Sequence, residues 1–146
     1  MIFPDANLLL YAEDSLSPHH EEARVWWDGI LSDSDPVNLC WPVVNAYIRI
    51  ATNVRLHQRP LTSAEAMSRV QSWFEQPCVR LVNPSENHWA LFQKQIRDSG
   101  AVGGLVADAH LAALAIEHGC TLFSSDKDFA KFPDLRWTNP LAKKNS

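Results

Sequence analysis

Two aspartates follow short apolar runs that have the character of buried strands. Asp5 comes after the run at 1–3, which Pro4 ends, and Asp126 comes after the run at 120–123. In open α/β sheets, ligands bind outside the carboxyl ends of the strands, so both side chains are candidates for a functional site. Each aspartate could instead serve as the N-cap of a following helix, a role for which this residue type is favoured.

A third aspartate, Asp108, lies one turn into an alanine-rich segment at 105–118. Helical spacing places it on an apolar face, where an ionised carboxylate is costly unless it is paired or binds a metal. One interpretation is an ion pair with Arg49. The other is convergence with Asp5 and Asp126, whose mutual repulsion would call for a divalent cation such as Mg²⁺ or Mn²⁺.

A site of carboxylates and metal suits the hydrolysis of phosphodiester bonds. A bound cation makes water a better nucleophile and stabilises in-line displacement at phosphorus. The sequence has no G-x-S-x-G motif and no P-loop, so a serine-hydrolase triad and a nucleotide-binding loop find no support. A phospho-acceptor receiver-like domain also uses clustered aspartates, but it expects adjacent acids after the first strand, and Asp5 stands alone there.

Strand-like and helix-like segments alternate along the chain. Strands are predicted at 1–3, 37–40, 79–82 and 120–123. In the first half of the chain, helices are predicted at 7–13, after Ser17 as N-cap with Pro18 at the first helical position, and from Pro42 onward. A fourth helix is predicted from Thr62 to about 76, with a capping box between Thr62 and Glu65. The last two are predicted after Ser85 as N-cap and over 105–118 with Gly119 as C-cap. This alternation predicts an α/β fold with a central parallel sheet and helices on both faces.

Composition narrows the function classes. The 146 residues are 46% hydrophobic with a net charge of −4, which indicates one globular domain over 1–146 and excludes a polybasic nucleic-acid binder. Three widely spaced cysteines without a C-x-x-C pair favour a reducing compartment and disfavour a disulfide framework or a zinc site. Because neither a signal peptide nor a membrane-spanning run is recognisable, we expect a cytoplasmic protein without membrane contact.

Three motifs resemble those of PIN-domain ribonucleases, and more closely the VapC toxins of bacterial toxin–antitoxin pairs. They are Asp5-Ala6-Asn7, the segment Val106–His110, and Ser124-Ser125-Asp126-Lys127-Asp128-Phe129. The resemblance continues through NAYIRIATN at 45–53, through Pro60-Leu61, along 110–115 and into the tail at 135–137, so it covers nearly the whole chain in the expected order.

The resemblance implies a three-layer α/β/α fold and Mg²⁺-dependent endonuclease action on an RNA substrate. It also implies inhibition by a cognate VapB-type antitoxin and assembly as a homodimer. The catalytic and metal-binding acids of the family map onto Asp5, Asp108 and Asp126, with Asp128 as a further candidate. Asn7 would orient Asp5 or a water molecule, or would serve only as a turn residue.

One departure from the family pattern concerns the helix after the second strand. The general pattern places a glutamate there, whereas 42–52 contains no acid and offers Asn45 as a neutral oxygen donor. A missing negative charge weakens metal binding. The alternative function is therefore a degenerate PIN module that binds RNA or a protein partner without cutting.

The densest basic segment lies between the second and third predicted strands. Arg49, Arg55 and Arg59 are candidates for contacts with RNA phosphates, although the segment could also be a solvated loop. Trp26, Trp27, Trp73 and Trp89 lie on predicted apolar helix faces. They are expected mostly in the core, with any exposed ring available to a dimer or antitoxin interface.

Overall fold

A computed structural model describes residues 1–142. Its centre is a five-stranded sheet with the order β3-β2-β1-β4-β5, in which every pairing is parallel. The strands are β1 Ile2–Pro4, β2 Val37–Leu39, β3 Val79–Leu81, β4 Thr121–Phe123 and β5 Trp137–Thr138. The helices are α1 Ala6–Glu13, α2 His20–Leu31, α3 Trp41–Ala51, α4 Ser63–Phe74, α5 His88–Ser99 and α6 Leu105–Glu117, and a 3₁₀ turn occupies Lys127–Lys131.

The strand order separates the helices into two layers. The chain moves from β1 to β2 and then to β3 in one direction, so right-handed crossovers put α1 to α4 on one face of the sheet. The return from β3 to β4 puts α5 and α6 on the opposite face. The contacts between helices agree with this division into two layers, since α1 contacts α2 and α3, α3 contacts α4, and α5 contacts α6. The predicted α/β class with a central parallel sheet in a three-layer arrangement is confirmed.

The strand register brings together the ends of β1 and β4, the two strands that precede Asp5 and Asp126. Pro4 pairs with Phe123, and the backbone N–H of Asp5 donates to the carbonyl of Phe123 at 2.9 Å. The residues after β1 and β4 therefore leave the sheet side by side at its carboxyl edge.

Two helix starts differ from the sequence prediction. Helix α2 begins at His20 rather than at Pro18, and α5 begins at His88 rather than directly after Ser85. In both cases the predicted cap accepts a bond from the backbone two residues on, Ser17 from His19 at 3.1 Å and Ser85 from Asn87 at 3.2 Å. Serine readily forms such local turns, and each of these two helices begins two residues later than predicted.

Other local predictions are confirmed or extended. The capping box between Thr62 and Glu65 is present, and α6 ends before Gly119, which has a φ of 66°. Strand β5 was not predicted, because two residues carry too little pattern to distinguish a strand from a loop. The three cysteines are free, with Cys40 and Cys120 buried and Cys78 partly buried.

The largest buried side chains lie between the sheet and the α1–α4 layer. Trp27, Trp73 and Tyr47 are almost fully enclosed, and the Trp27 and Trp73 rings meet edge-on with centroids 5.8 Å apart. Trp26 is partly buried, whereas Trp89 is exposed. No helix within residues 1–142 combines the length and the apolar character that crossing a membrane requires.

Candidate active site

Asp5 fills both of the roles that the sequence left open. Its Oδ1 accepts a hydrogen bond from the backbone N–H of Ala6 at 2.8 Å, which caps helix α1. Its Oδ2 accepts a hydrogen bond from the hydroxyl of Ser124 at 2.7 Å. A cap and a site carboxylate are therefore the same side chain, because β1 ends where α1 begins.

Ser124 connects the residues around the carboxyl edge of the sheet. The side chain is completely buried, and its hydroxyl donates a hydrogen bond to Asp5. The same oxygen accepts hydrogen bonds from the backbone N–H of Asp126 at 3.0 Å and from the side-chain amide of Asn7 at 3.2 Å. A hydroxyl offers one donor and two acceptor sites, so the hydrogen-bonding capacity of Ser124 is fully used. These three bonds fix Asp5, Asn7 and the start of the 3₁₀ turn relative to one another.

Three carboxylates meet beside this serine. Asp126 caps the 3₁₀ turn by accepting from the backbone N–H of Asp128 at 2.9 Å, and Asp108 lies in the first turn of α6. One carboxylate oxygen from each of Asp108, Asp126 and Asp128 lies within 4.8 Å of the other two. Asp5 lies outside this closest group and is joined to it through Ser124.

Burial, and to a lesser extent the neighbouring negative charges, disfavours ionisation of two of these acids. Burial raises the pKa of Asp108 from 3.8 to about 6, and the negative charges of Asp126, Asp5 and Asp128 add to the effect while Lys131 opposes it. Burial likewise raises the pKa of Asp5, against the hydrogen bonds from Ser124 and Ala6. Within residues 1–142 Asp108 has no ion-pair partner, so the predicted alternative of a salt bridge with Arg49 is wrong.

The donor set fits a hard divalent cation. Aspartate oxygens converging from separate elements are the ligands that Mg²⁺ and Mn²⁺ prefer, and no cysteine or histidine belongs to the group. Nearby, Oδ1 of Asn7 is buried without a hydrogen-bond partner, while the other end of the same amide is fixed on Ser124. An unpaired buried oxygen normally has a water or an ion as its partner. Asn7 lies in the first turn of α1, and its role in orienting Asp5 or a water molecule stays a prediction.

The three candidate arginines are exposed and do not share one location. Arg49 lies on α3, Arg55 lies in the turn after that helix, and Arg59 lines a small cavity with Glu13 and Asp14. Glu13 is the last residue of α1, an eight-residue helix that begins at Ala6 and has Asp5 as its N-cap. The cavity at Glu13 therefore lies roughly 12 Å along that helix from Asp5, and the contact of Arg59 with RNA stays a prediction.

The sequence patterns do not predict the full roles of two residues in this site, Ser124 and Asp128. Ser124 belonged to a recognised motif but was given no role, although a small hydroxyl directly after a strand at the ligand-binding edge was an available signal. Asp128 was only a further candidate, yet it belongs to the closest carboxylate group. His110 belongs to the same motif as Asp108 but bonds to His88 of α5 at 2.8 Å and not to the acids, because two positions along a helix separate the directions of the two side chains.

The family model of the PIN domain matches residues 2–135, which includes all four acids. The chain belongs to the PIN-domain family. Ribonuclease VapC37 of Mycobacterium tuberculosis is 42% identical over 138 residues, which cover 94% of this chain and 96% of that relative. Ribonuclease VapC33 of the same species is 38% identical over 141 residues, which cover 97% of this chain and 99% of that relative. Within the PIN family the chain thus belongs with the VapC proteins.

A solved structure carries the same fold. The structure of VapBC-1 from nontypeable Haemophilus influenzae superposes on this PIN domain with a TM-score of 0.69 and 17% identity, covering 97% of this chain and all 100% of that one. At this identity the match concerns the fold alone.

Proposed function

We propose that this PIN domain is a Mg²⁺-dependent endoribonuclease, with Mn²⁺ as a substitute ion, and the toxin of a toxin–antitoxin pair. The observation that carries the proposal is the meeting of Asp108, Asp126 and Asp128 within 4.8 Å at the carboxyl edge of the sheet. The raised pKa of Asp108 supports the proposal, because burial and then the neighbouring charges of Asp126, Asp5 and Asp128 disfavour its ionised form. The names of the relatives, Ribonuclease VapC37 and VapC33, support the same activity.

Each acid has a part in this proposal. Asp108, Asp126 and Asp128 hold the cation, and Asp5, fixed by Ser124 and Ala6, adds its charge from the neighbouring strand. When bound, the cation would supply charge neutralisation at the scissile phosphate and a more acidic water. Without a counter-charge, these carboxylates would repel the phosphates of RNA.

The remaining residues of the site position water and RNA. The unpaired Oδ1 of Asn7 is available to accept a hydrogen bond from a water molecule, which would restrict the direction of attack. Exposed Arg49, Arg55 and Arg59 would contact RNA phosphates outside the acidic centre, as charge-based and sequence-independent contacts.

A cognate VapB-type antitoxin and a homodimer complete the proposal. The structure of VapBC-1 from Haemophilus influenzae, which has a similar fold, supports a partner of the VapB type. A cytoplasmic location follows from the same proposal. Light scattering of the isolated chain at micromolar concentration is expected to give the mass of a dimer, and a monomeric mass would contradict that part.

Cleavage of labelled RNA tests the central activity. Wild-type protein, Asp108→Ala and Asp33→Ala would be incubated with total cellular RNA in Mg²⁺, in Mn²⁺ and with chelator. Asp33 is an exposed control, since it precedes β2 and therefore lies at the opposite edge of the sheet. Cleavage by wild type and Asp33→Ala, abolished by chelator and by Asp108→Ala, is expected. Cleavage that survives Asp108→Ala or the chelator would refute the assignment.

A second candidate function is a PIN module that binds RNA or a protein without cutting. The observation that favours it is the absence of any acid from α3, where Asn45 stands exposed. Folded wild-type protein that binds RNA but leaves it intact in both metals would support this candidate over the nuclease.

A further inference from the structure

Trp41 is a large aromatic residue that the fold leaves exposed at the edge of the sheet that also carries the acids. The residue is 55% exposed although it opens helix α3 directly after strand β2. Strands β1 and β2 are parallel neighbours in the register Ile2↔Val37, so Cys40 is level with Asp5, and Trp41 is one residue beyond it. Neighbouring strands are about 4.8 Å apart, which places the start of α3 at the same edge as the carboxylates.

The Trp41 ring is held in position rather than free. It packs against Phe74 at the end of α4, with ring centroids 6.2 Å apart and the planes inclined by 52°. An aromatic surface that is supported from one side and open on the other loses little conformational entropy when a flat ligand stacks on it.

Polar groups continue from Trp41 along the same face of α3. Asn45 and Arg49 follow at intervals of four residues, and the three side chains line one shallow groove. Both Asn45 and Arg49 are exposed, and within residues 1–142 neither side chain takes part in a hydrogen bond or an ion pair. Eight residues of helix span roughly 12 Å, so the groove presents a ring, an amide and a cation in a row leading away from the acids.

We propose that this face of α3 binds an unpaired nucleotide of the RNA substrate next to the cleavage site. Trp41 stacks on the base, Asn45 hydrogen-bonds to its edge, and Arg49 contacts a phosphate. Aromatic stacking and hydrogen bonds to exposed base edges are the means by which proteins recognise single-stranded RNA, whereas bases in a duplex are inaccessible to a flat ring. The inference rests on the proposed ribonuclease function and assigns to it a nucleotide-binding groove on α3.

The proposal also gives Asn45 a function in the helix where the general family pattern has an acid. An amide both donates and accepts hydrogen bonds, whereas a carboxylate only accepts and would repel the RNA backbone. The loss of a negative charge here therefore favours RNA contact on α3, while the carboxylates of α6 and of the 3₁₀ turn remain for the cation.

Binding of RNA separates this proposal from the ribonuclease function. Asp108→Asn would serve as the parent, so that RNA stays intact in Mg²⁺, and Trp41→Ala, Trp41→Phe, Asn45→Ala and Trp89→Ala would each be added to it. The probe is a fluorescently labelled random-sequence pool of single-stranded RNA, compared by anisotropy with an RNA duplex of equal length. Trp89 is a matched control, because it is 65% exposed on α5, whose first turn contacts Glu117 at the end of α6 away from Asp108.

We expect Trp41→Ala to weaken binding of the single strand about tenfold, as alanine substitution at a stacking residue typically does. Trp41→Phe should retain most of the affinity, Asn45→Ala should lose a smaller part, and Trp89→Ala should match the parent. Duplex binding should change little in all of them. Circular dichroism verifies that each variant folds. Should Trp41→Ala fail to fold, the single-strand affinity of Asn45→Ala, compared with that of Trp41→Phe, still tests the proposal.

Two results would overturn the inference and leave the ribonuclease intact. One is unchanged single-strand affinity in Trp41→Ala and Asn45→Ala while wild-type protein cleaves RNA in Mg²⁺. The other is an equal loss for single strand and duplex, or a loss only of self-association or of antitoxin binding, which would make the face a protein interface. If the wild-type protein does not cleave RNA and the Asp108→Asn parent does not bind any RNA, the ribonuclease proposal fails, and this inference fails with it.

Discussion

The hydroxyl of Ser124 donates a hydrogen bond to Oδ2 of Asp5 at 2.7 Å, across 119 positions of sequence. This bond joins the ends of two neighbouring parallel strands at the edge where the acids lie. Because Ser124 also accepts from Asp126 and Asn7, one buried side chain determines the relative positions of three polar residues. The geometry of the site thus depends on a residue that holds no charge.

Replacing Ser124 with alanine is expected to affect both stability and cation binding. The change leaves two buried N–H donors and one oxygen of Asp5 without their partner, which should lower the free energy of unfolding by about 1–3 kcal/mol. Supporting hydrogen bonds of this kind typically contribute tenfold or more to metal affinity. Urea denaturation and calorimetric titration with Mn²⁺ would measure the two effects.

Ser125→Ala is the matched control for that experiment, because its hydroxyl makes no hydrogen bond within residues 1–142. Equal behaviour of Ser124→Ala and Ser125→Ala would show that the bond to Asp5 is unimportant.

The pKa of Asp108 predicts how stability depends on pH when no cation is bound. Since folding raises this pKa from 3.8 to about 6, the favourable contribution of the protonated carboxyl is complete below pH 3.8 and is lost as the pH rises through about 6. In chelator, Asp108→Asn should therefore be more stable than wild type above that range, by about 1 kcal/mol after allowance for solvent screening. Thermal unfolding across pH measures the difference.

Divalent cations should reverse this order. Mg²⁺ or Mn²⁺ stabilises only a protein that retains the ligands, so its stabilising effect on wild type should grow as the pH rises through about 6 and should be small in Asp108→Asn. A pH-independent gap between the two proteins, with or without cation, would mean that Asp108 is not the titrating group.

Glu13 predicts a stability effect that is separate from activity. Its side chain is 7% exposed, and its Oε1 accepts from Arg24 at 3.0 Å and from the indole N–H of Trp73 at 3.2 Å, which joins α1 to α2 and α4. Glu13→Ala should lower the free energy of unfolding by about 1–3 kcal/mol because the buried indole N–H loses its acceptor. Glu22→Ala, at an exposed position, should have almost no effect.

Glu13 lies at the end of α1 away from Asp5, so RNA cleavage per folded molecule should be unchanged in Glu13→Ala. A large loss of cleavage at full folding would instead place the α1–α2–α4 junction in the active centre.

Sequence patterns were sufficient for the α/β fold and for the prediction that Asp5 and Asp126 lie at one edge of the sheet. Alternating apolar runs and capping residues such as Thr62 are local signals, and they predicted four of the five strands and the parallel sheet. Asp5 and Asp126 could be placed because parallel strands end at a common edge.

Other features depend on side-chain geometry that no local pattern contains. The bonds of Ser124 and the turn that brings Asp128 beside Asp108 arise only when distant segments meet. Ser17 and Ser85 have the residue type of an N-cap but form local turns instead. The packing of Trp41 against Phe74 likewise depends on where α4 ends, which the pattern of α3 does not contain.

Direct titration of Mn²⁺ into the metal-free protein at mildly alkaline pH tests the central claim, that the aspartate group is a cation site. The chain should bind the ion, Asp108→Asn should bind at least tenfold more weakly, and Asp33→Asn should match wild type. Wild type that takes up no cation, or Asp108→Asn that binds it as tightly as wild type does, would contradict the account.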